Sequence, residues 1–414
     1  MTALLAPDPA VPQRDALLDE RRMAALLGSR LTGAAAEGCE RLNAKYRVGD
    51  SLRVAYRITV GGERHTVAGR TFSGRSASVY SRAAAAVGES RLPGVLHAPE
   101  LETVFWTFPN DRRLAGLPLL DGRSAALDRL VGRPVAHTRL MAYAPERAAT
   151  AECLDAGGRV IAYAKVHWDA AGRELANVEA AASAVGPADP HLRLPHVLAA
   201  SLPDGALVLE PLAGRRLDGL PTAELGSALR ALGAGLATLH GVRPLPPRRF
   251  DRLDADRLAL AAGVIGRARP DCRATAAGLV ARLLERASDG AGAPVHLHGD
   301  ANLRNALLDG SRIALVDLED AAAGPAGADL GFVLAGLCAA RAQERLASGE
   351  QAALAAALLG GYAAVAPVPD ATALRWHTAA SALARVAVPA VGRVRPVALA
   401  HLEPMLRAAE ELVA

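Results

Sequence analysis

An aspartate, an asparagine five residues later and a second aspartate closing an apolar run form the stretch of this chain best equipped for chemistry. It reads His298-Gly299-Asp300-Ala301-Asn302-Leu303-Arg304-Asn305, and then Val316-Asp317-Leu318-Glu319-Asp320. Phosphoryl transfer needs such a set: one carboxylate to meet an acceptor hydroxyl, and a carboxamide with a second carboxylate to hold magnesium on nucleotide phosphates. The spacing assigns Asp300 to the hydroxyl and its proton. Asn305 and Asp317 are assigned to Mg²⁺, which takes hard oxygen ligands. His298 joins Asp300 in the catalytic set, with holding the loop by hydrogen bonding as its expected part. Glu319 or Asp320 either assists the metal or caps the following turn. Ile313-Ala314-Leu315-Val316, preceded by the turn signal Asp309-Gly310-Ser311, reads as a buried strand that delivers Asp317 rigidly.

The pattern resembles the aminoglycoside phosphotransferase family, which carries His-Gly-Asp, four residues, Asn, and an apolar strand ending in Asp. Two departures stand out. The family's His-Pro in the catalytic loop is Asn302-Leu303 here. Its later Gly-Asp-Pro…Asp-Leu segment is Gly324-Pro325-Ala326-Gly327-Ala328-Asp329-Leu330, without the first aspartate. Neither change removes a residue assigned to metal or acceptor. The resemblance implies an α+β, protein-kinase-like fold of two lobes, an antiparallel-sheet small lobe and a mostly helical large lobe, with ATP and Mg²⁺ as cofactors. It implies that Lys165 lies on the third small-lobe strand and pairs with the α and β phosphates. It further implies that Glu210, Pro211 and Leu212 form the adenine-binding hinge, that Arg147 lies in a phosphate-covering loop (144–149), and that Asp329 braces the catalytic loop. That covering loop lacks glycines, so only the resemblance assigns it.

Composition adds weight to Lys165. Of 47 Lys and Arg residues only Lys45 and Lys165 are lysine, so a lysine in an otherwise arginine-using chain calls for a reason. A compact ammonium suits a point contact with phosphate better than a guanidinium fork. Lys165 falls in an apolar strand (159–166) after Gly157-Gly158, and the helix predicted at 173–182 supplies its partner. Glu179 is the expected ion-pair partner, with Glu174 as the alternative.

The chain also repeats itself. Arg112-Arg113-Leu114-Ala115-Gly116-Leu117-Pro118 recurs as Arg215-Arg216-Leu217-Asp218-Gly219-Leu220-Pro221, and Leu92-Pro93-Gly94-Val95-Leu96 as Leu194-Pro195-His196-Val197-Leu198. Residues 38–120 therefore read as a degenerate duplicate of the small lobe. In that register Arg70 stands for Lys165, Ser81 for Glu179 and Phe108 for Glu210, so the copy lacks the Lys–Glu pair. The expected organisation is an N-terminal extension (1–37), the degenerate lobe (38–120), an ATP-binding small lobe (132–221) and a helical catalytic and acceptor-binding lobe (222–414). Thr222-Ala223-Glu224-Leu225 looks like a capped helix start, and the segment from Val242 to Pro270 is placed at the acceptor pocket.

The 414 residues are 51% hydrophobic and 22% charged, enough for a large core. Cys39, Cys153, Cys272 and Cys338 are too scattered for a metal motif or a disulfide framework, which fits a reducing cytoplasm. The N-terminus has no secretory pattern, no apolar run is long enough for a membrane, and no aromatic-interleaved basic stripe suggests nucleic acid. From Leu337 onward the acids are roughly balanced by arginines, unlike a pocket built for a polycation. The expected partner is a small hydroxylated metabolite, a neutral or weakly charged sugar or glycoside ahead of an aminoglycoside, phosphorylated from ATP. The alternative is a nucleotide-binding pseudokinase that regulates a partner.

Overall fold

The computed structural model describes residues 4–87, 92–122 and 124–414; Met1 to Ala3, part of the N-terminal stretch read above, lie outside them. Two helices open the chain, α1 (Arg14–Leu18) and α2 (Glu20–Thr32), the second capped by the Asp19 carboxylate, which accepts from Arg21 N and Arg22 N. A three-strand meander follows: β1 (Gly38–Arg47), β2 (Ser51–Val60) and β3 (Glu63–Thr71). Then come α3 (Ser76–Ala86), β4 (Val95–Ala98) and β5 (Thr103–Thr107). The sheet order is β1-β2-β3-β5-β4.

After α4 (Ala125–Val131) the same plan recurs. It comprises β6 (His137–Ala144), β7 (Ala148–Leu154), β8 (Val160–His167), α5 (Ala171–Val185), a two-residue strand β9 (Leu192–Arg193), β10 (Val197–Ser201) and β11 (Ala206–Leu209). The order β6-β7-β8-β11-β10 repeats that of the first sheet, with the last hairpin folded back beside the third strand after a helix. Registers correspond as well. Lys165 lies opposite Thr150 and Leu207, and Arg70 opposite Arg53 and Val104, each the second residue of the returning strand. The helix differs from expectation: Val79, fourth in α3, stands where Glu174, fourth in α5, stands. Ser81 instead bonds Ala77 O within its own helix.

The remainder is mainly helical around short hairpins. Its elements are β12 (Arg215–Arg216), α6 (Thr222–Gly241), α7 (Ala255–Ala268), α8 (Arg273–Glu285), β13 (Pro294–Leu297), β14 (Ala306–Asp309), β15 (Arg312–Leu315) and β16 (Ala322–Pro325). Helices α9 (Gly327–Ala342), α10 (Ser348–Ala363), α11 (Ala371–Ser381), α12 (Val388–Gly392), α13 (Pro396–Ala400) and α14 (Leu402–Glu411) complete it. Thr222 is not a cap: it is the first helical residue of α6, behind Pro221, which cannot supply one. A π-helical turn (Ala382–Ala387) separates α11 from α12. β9 pairs in parallel with β15, tying the second lobe to the strand that precedes Asp317.

One apolar core joins distant parts of the chain. Leu5, Met23 and Leu27 of the N-terminal segment, Tyr56 and Phe105 of the first sheet, and Ile265, Leu279 and Leu406 of the large lobe share one buried cluster. A second unites α5, α6, β15 and α9–α10 around Leu229, Ile313 and Leu330. The first lobe thus packs on the large lobe as part of its core.

Candidate active site

β13 ends at Leu297, and His298, Gly299 and Asp300 turn out of it. Gly299 has φ +78, and a Cβ there would stand 1.9 Å from the Asp320 carbonyl oxygen, so no larger residue fits this crossing. Asp329, in the first turn of α9 and fully buried, accepts His298 N at 2.7 Å and Gly299 N at 3.1 Å. Burial pushes its carboxyl up, but the His240 hydrogen bond and nearby cations outweigh that and hold it below the usual carboxylate range. His298 is buried with both ring nitrogens engaged: Nε2 contacts Val316 O at 3.0 Å and Nδ1 accepts Asp300 N at 3.3 Å. Both contacts tie the loop together, the part expected of His298 from the sequence.

Asp300 itself is partly open. Asn302 Nδ2 and Asn305 Nδ2 both stand 3.2 Å from its Oδ2. Arg252 Nη1 and Arg385 Nη2 flank Oδ1 at 3.9 and 3.7 Å. Burial raises its pKa above the ordinary carboxylate value against the pull of Arg385, Arg252 and His298. Neither arginine was singled out from sequence. Arg385, nearly buried in the π-helical turn, donates to Gly299 O at 2.7 Å and Ala328 O at 3.0 Å and stacks 3.6 Å over the Phe332 ring. A charged residue inside the apolar run 379–391 was the available signal. Arg252 and Arg248 come from the segment between Val242 and Pro270 and hold Asp320.

Asp317 follows β15 in the left-handed region at φ +69, a conformation that costs a non-glycine residue about 1–3 kcal/mol. The twist presents its Oδ1 to Lys165 Nζ. Lys165 also meets Glu174 at 2.8 Å. Glu174 is therefore the ion-pair partner and Glu179 is not. One turn and a half further along α5, Glu179 is exposed, whereas Glu174 is fully buried on the sheet side. Flanking carboxylates raise Lys165 well above the usual lysine range despite burial, so it stays charged.

His167 extends this network. Its Nε2 lies 2.7 Å from Glu174 Oε2 and its Nδ1 3.3 Å from Glu319 Oε2, close enough for charge pairing although not aligned as hydrogen bonds. Burial opposes its charge, yet the two carboxylates raise its pKa. His167, Glu174 and Glu319 bring one ligand-type atom each within 4.8 Å of one another. Lys165 already pairs with Glu174 and Arg147 with Glu319, so the cluster is an ion-pair network with no charge deficit for a metal.

Arg147 reaches Glu319 from the β6–β7 loop. The preceding residue, Glu146, is 3% exposed at φ +61, and it is held by cations of the first lobe. Arg70 and Arg112 donate to its carboxylate, and Arg53 stands 3.7 Å away and bonds Pro145 O at 3.1 Å. The residue that replaces Lys165 in the degenerate lobe thus serves the loop of its neighbour. Glu210, Pro211 and Leu212 follow β11. The Glu210 carboxylate is occupied by Arg193 Nη2 and His196 N, each at 3.0 Å, which leaves backbone rather than carboxylate for a hinge.

The model of the phosphotransferase enzyme family, APH, matches residues 161–394, more than half of the chain. The chain belongs to the phosphotransferase enzyme family. Within this phosphotransferase the match begins at Ile161, beyond the first sheet. The fold is similar to that of a thermostable mutant of aminoglycoside phosphotransferase APH(4)-Ia in its apo form, at 17% identity and a TM-score of 0.51, covering 69% of this chain and 97% of that one. A ternary complex of such a mutant with AMP-PNP and hygromycin B gives 17% identity and a TM-score of 0.51, over 70% of this chain and 98% of that one. A choline/ethanolamine kinase family protein from Mesorhizobium loti is 17% identical with a TM-score of 0.45, over 66% of this chain and 87% of that one. No curated protein matches the phosphotransferase sequence. Among the described residues no helix is long and apolar enough to cross a membrane.

Proposed function

We propose that this phosphotransferase moves the γ-phosphoryl group of Mg-ATP onto a hydroxyl of a small molecule, with Asp300 as the base. The observation that carries this reading is the convergence of Asp300, Asn305, Asp317 and the Lys165–Glu174 pair on one crevice. Membership of the family supports phosphotransfer, and the complex of a structural relative with AMP-PNP and hygromycin B supports an adenine nucleotide and a hydroxylated small acceptor.

The donor set fits magnesium. Asn305 turns its Nδ2 to Asp300 O at 3.0 Å, which leaves its carboxamide oxygen for a metal, and Asp317 offers a carboxylate that is 39% exposed. Magnesium on the phosphates supplies charge neutralisation at the transferring group. The chain's own residues do the rest. Lys165, fixed by Glu174, and Arg147, fixed by Glu319, present positive charge to phosphate oxygens. Asp300 accepts the acceptor's proton as the acceptor oxygen bonds to phosphorus. The bond from phosphorus to the bridging oxygen breaks, and ADP leaves with the electron pair. Positioning and electrostatics carry most of such a barrier.

Asp300→Asn tests the assignment. ADP release with a panel of sugars, amino sugars and amino alcohols is expected to fall about 10²–10⁴-fold while Mg-ADP still raises Tm. Turnover unchanged in Asp300→Asn would remove Asp300 from the chemistry. A nucleotide-binding regulator, the alternative, would bind Mg-ADP equally well and show no turnover in either protein.

A further inference from the structure

Most arginines near the catalytic loop have acidic partners: Arg252 and Arg248 have Asp320, Arg147 has Glu319, and Arg70 and Arg112 have Glu146. Four cations beside the same crevice do not. Among the described residues Lys45, Arg304, Arg393 and Arg395 form no ion pair. They come from three separate segments: β1 of the degenerate lobe, the catalytic loop, and the turn between α12 and α13. That turn abuts β1, since a Cβ on Gly392 would lie 3.4 Å from Tyr46 O, the residue after Lys45. Val394 occupies φ +46 and is buried, while its neighbours Arg393 and Arg395 both remain exposed. A β-branched residue in that region is strained, and strain of this kind persists at functional sites.

The four also sense one another. Burial, then repulsion from Arg393 and Arg147, pushes Lys45 down to about 8 although its side chain reaches solvent at the rim. Arg395 is lowered to about 10 by burial and by Arg393 and Arg304. Arg393 is lowered by burial, Arg304 and Arg147, and the carboxylate acting on it is Asp300. Like charges gathered without counter-charge are unfavourable, and a bound anion is what relieves them.

We propose that the acceptor carries an oxyanion, a phosphate or a carboxylate, which Lys45, Arg304, Arg393 and Arg395 receive while its hydroxyl meets Asp300. The inference rests on the phosphotransferase reading and names the acceptor class of that site. It replaces the neutral sugar expected from sequence, and it makes a polycationic aminoglycoside a poor substrate. It also gives the degenerate lobe a place in recognition through Lys45.

The test uses the full chain saturated with Mg-ADP and inorganic phosphate as the probe, at constant ionic strength. Wild type is expected to show a saturable rise in Tm, and Arg393→Ala/Arg395→Ala a phosphate Kd at least tenfold weaker with the Mg-ADP Kd unchanged within twofold. No saturable response in wild type, or equal titrations in both proteins, overturns the proposal. A second arm compares matched acceptors: glycerol with glycerol 3-phosphate, and glucose with glucose 6-phosphate, glucuronate and glucosamine. Turnover of an anionic member, with its KM raised at least tenfold in the double variant and the ATP KM unmoved, supports it. Preferred turnover of a neutral or cationic member, with a KM indifferent to the double variant, overturns it. Failure of the underlying function shows differently: no Mg-ADP binding, or turnover that survives Asp300→Asn.

Discussion

Asp300 works under opposed influences, and its pH behaviour follows from them. Burial lifts its pKa above the usual carboxylate range while Arg385 and Arg252 pull it back, with a net rise. As the proposed base, Asp300 must be unprotonated, so activity is expected to fall as pH drops through this raised value. The acid limb of kcat/KM is expected at higher pH than an ordinary aspartate would give, and it should vanish from the residual activity of Asp300→Asn. A second expectation at this scale separates two glutamates of one helix. Glu174 is buried against Lys165 and His167, whereas Glu179 is exposed. Removing one partner of a buried pair leaves an uncompensated charge, so Glu174→Ala should cost on the order of 3 kcal/mol in urea unfolding and raise the ATP KM. Glu179→Ala should stay within about 0.5 kcal/mol. Equal effects of the two would contradict the pairing.

The β6–β7 hairpin is the element on which the two sheets meet. Its Glu146 is ionised, because Arg112 and Arg70 overcome the burial that would raise its pKa. Glu146 N also donates to Asp111 Oδ2 at 3.0 Å, and the same oxygen accepts Tyr143 OH at 2.6 Å. The loop carrying Arg147 to the site is thus anchored from the degenerate lobe, where a glycine-rich loop would have relied on backbone alone. Glu146→Gln weakens a charge-assisted anchor worth about 1.5–3 kcal/mol. Faster amide exchange across 143–149 and an ATP KM several-fold higher are expected. Unchanged exchange would show that Asp111 alone holds the hairpin. Strands, helices and their order around these residues were legible in the chain, since apolar runs and turn signals are local. The arginine anchor was not, because Arg53, Arg70 and Arg112 meet Glu146 only when the two sheets pack.

Across the whole molecule, buried histidines add to the loss of stability in acid. His296, with neither ring nitrogen hydrogen-bonded, and His377, which contacts Gly290 O at 3.1 Å, are both depressed from 6.5 to about 4, first by burial. Between those values the unfolded chain binds protons that the folded chain refuses. Stability is therefore lost as pH falls from about 6.5 towards 4, by up to about 3 kcal/mol for each histidine. His296→Leu should flatten Tm against pH in that window; an unchanged slope would assign the loss elsewhere. The shared core makes a further expectation at this scale. Leu27 of α2 lies in the cluster that contains Ile265 and Leu406, so Leu27→Ala should cost about 2–5 kcal/mol and lower the unfolding of first lobe and large lobe together.

The sequence by itself picked out the residues to which the proposed chemistry is assigned. Asp300, Asn305 and Asp317 were readable because one loop and one strand carry them at fixed spacing, and Lys165 because a lone lysine in an apolar strand has few other uses. The repeat of the small lobe was readable from its heptapeptides, and the two sheets share one strand order. Tertiary structure alone decided which helix face meets Lys165, choosing Glu174 over Glu179 through the way α5 lies on its sheet. It alone brought Arg252 and Arg385 to Asp300 and gathered Lys45, Arg304, Arg393 and Arg395 from segments up to 350 residues apart. Periodicity reports which side of an element is apolar. The sign and placement of charge in a crevice depend on contacts between elements, which no local pattern encodes.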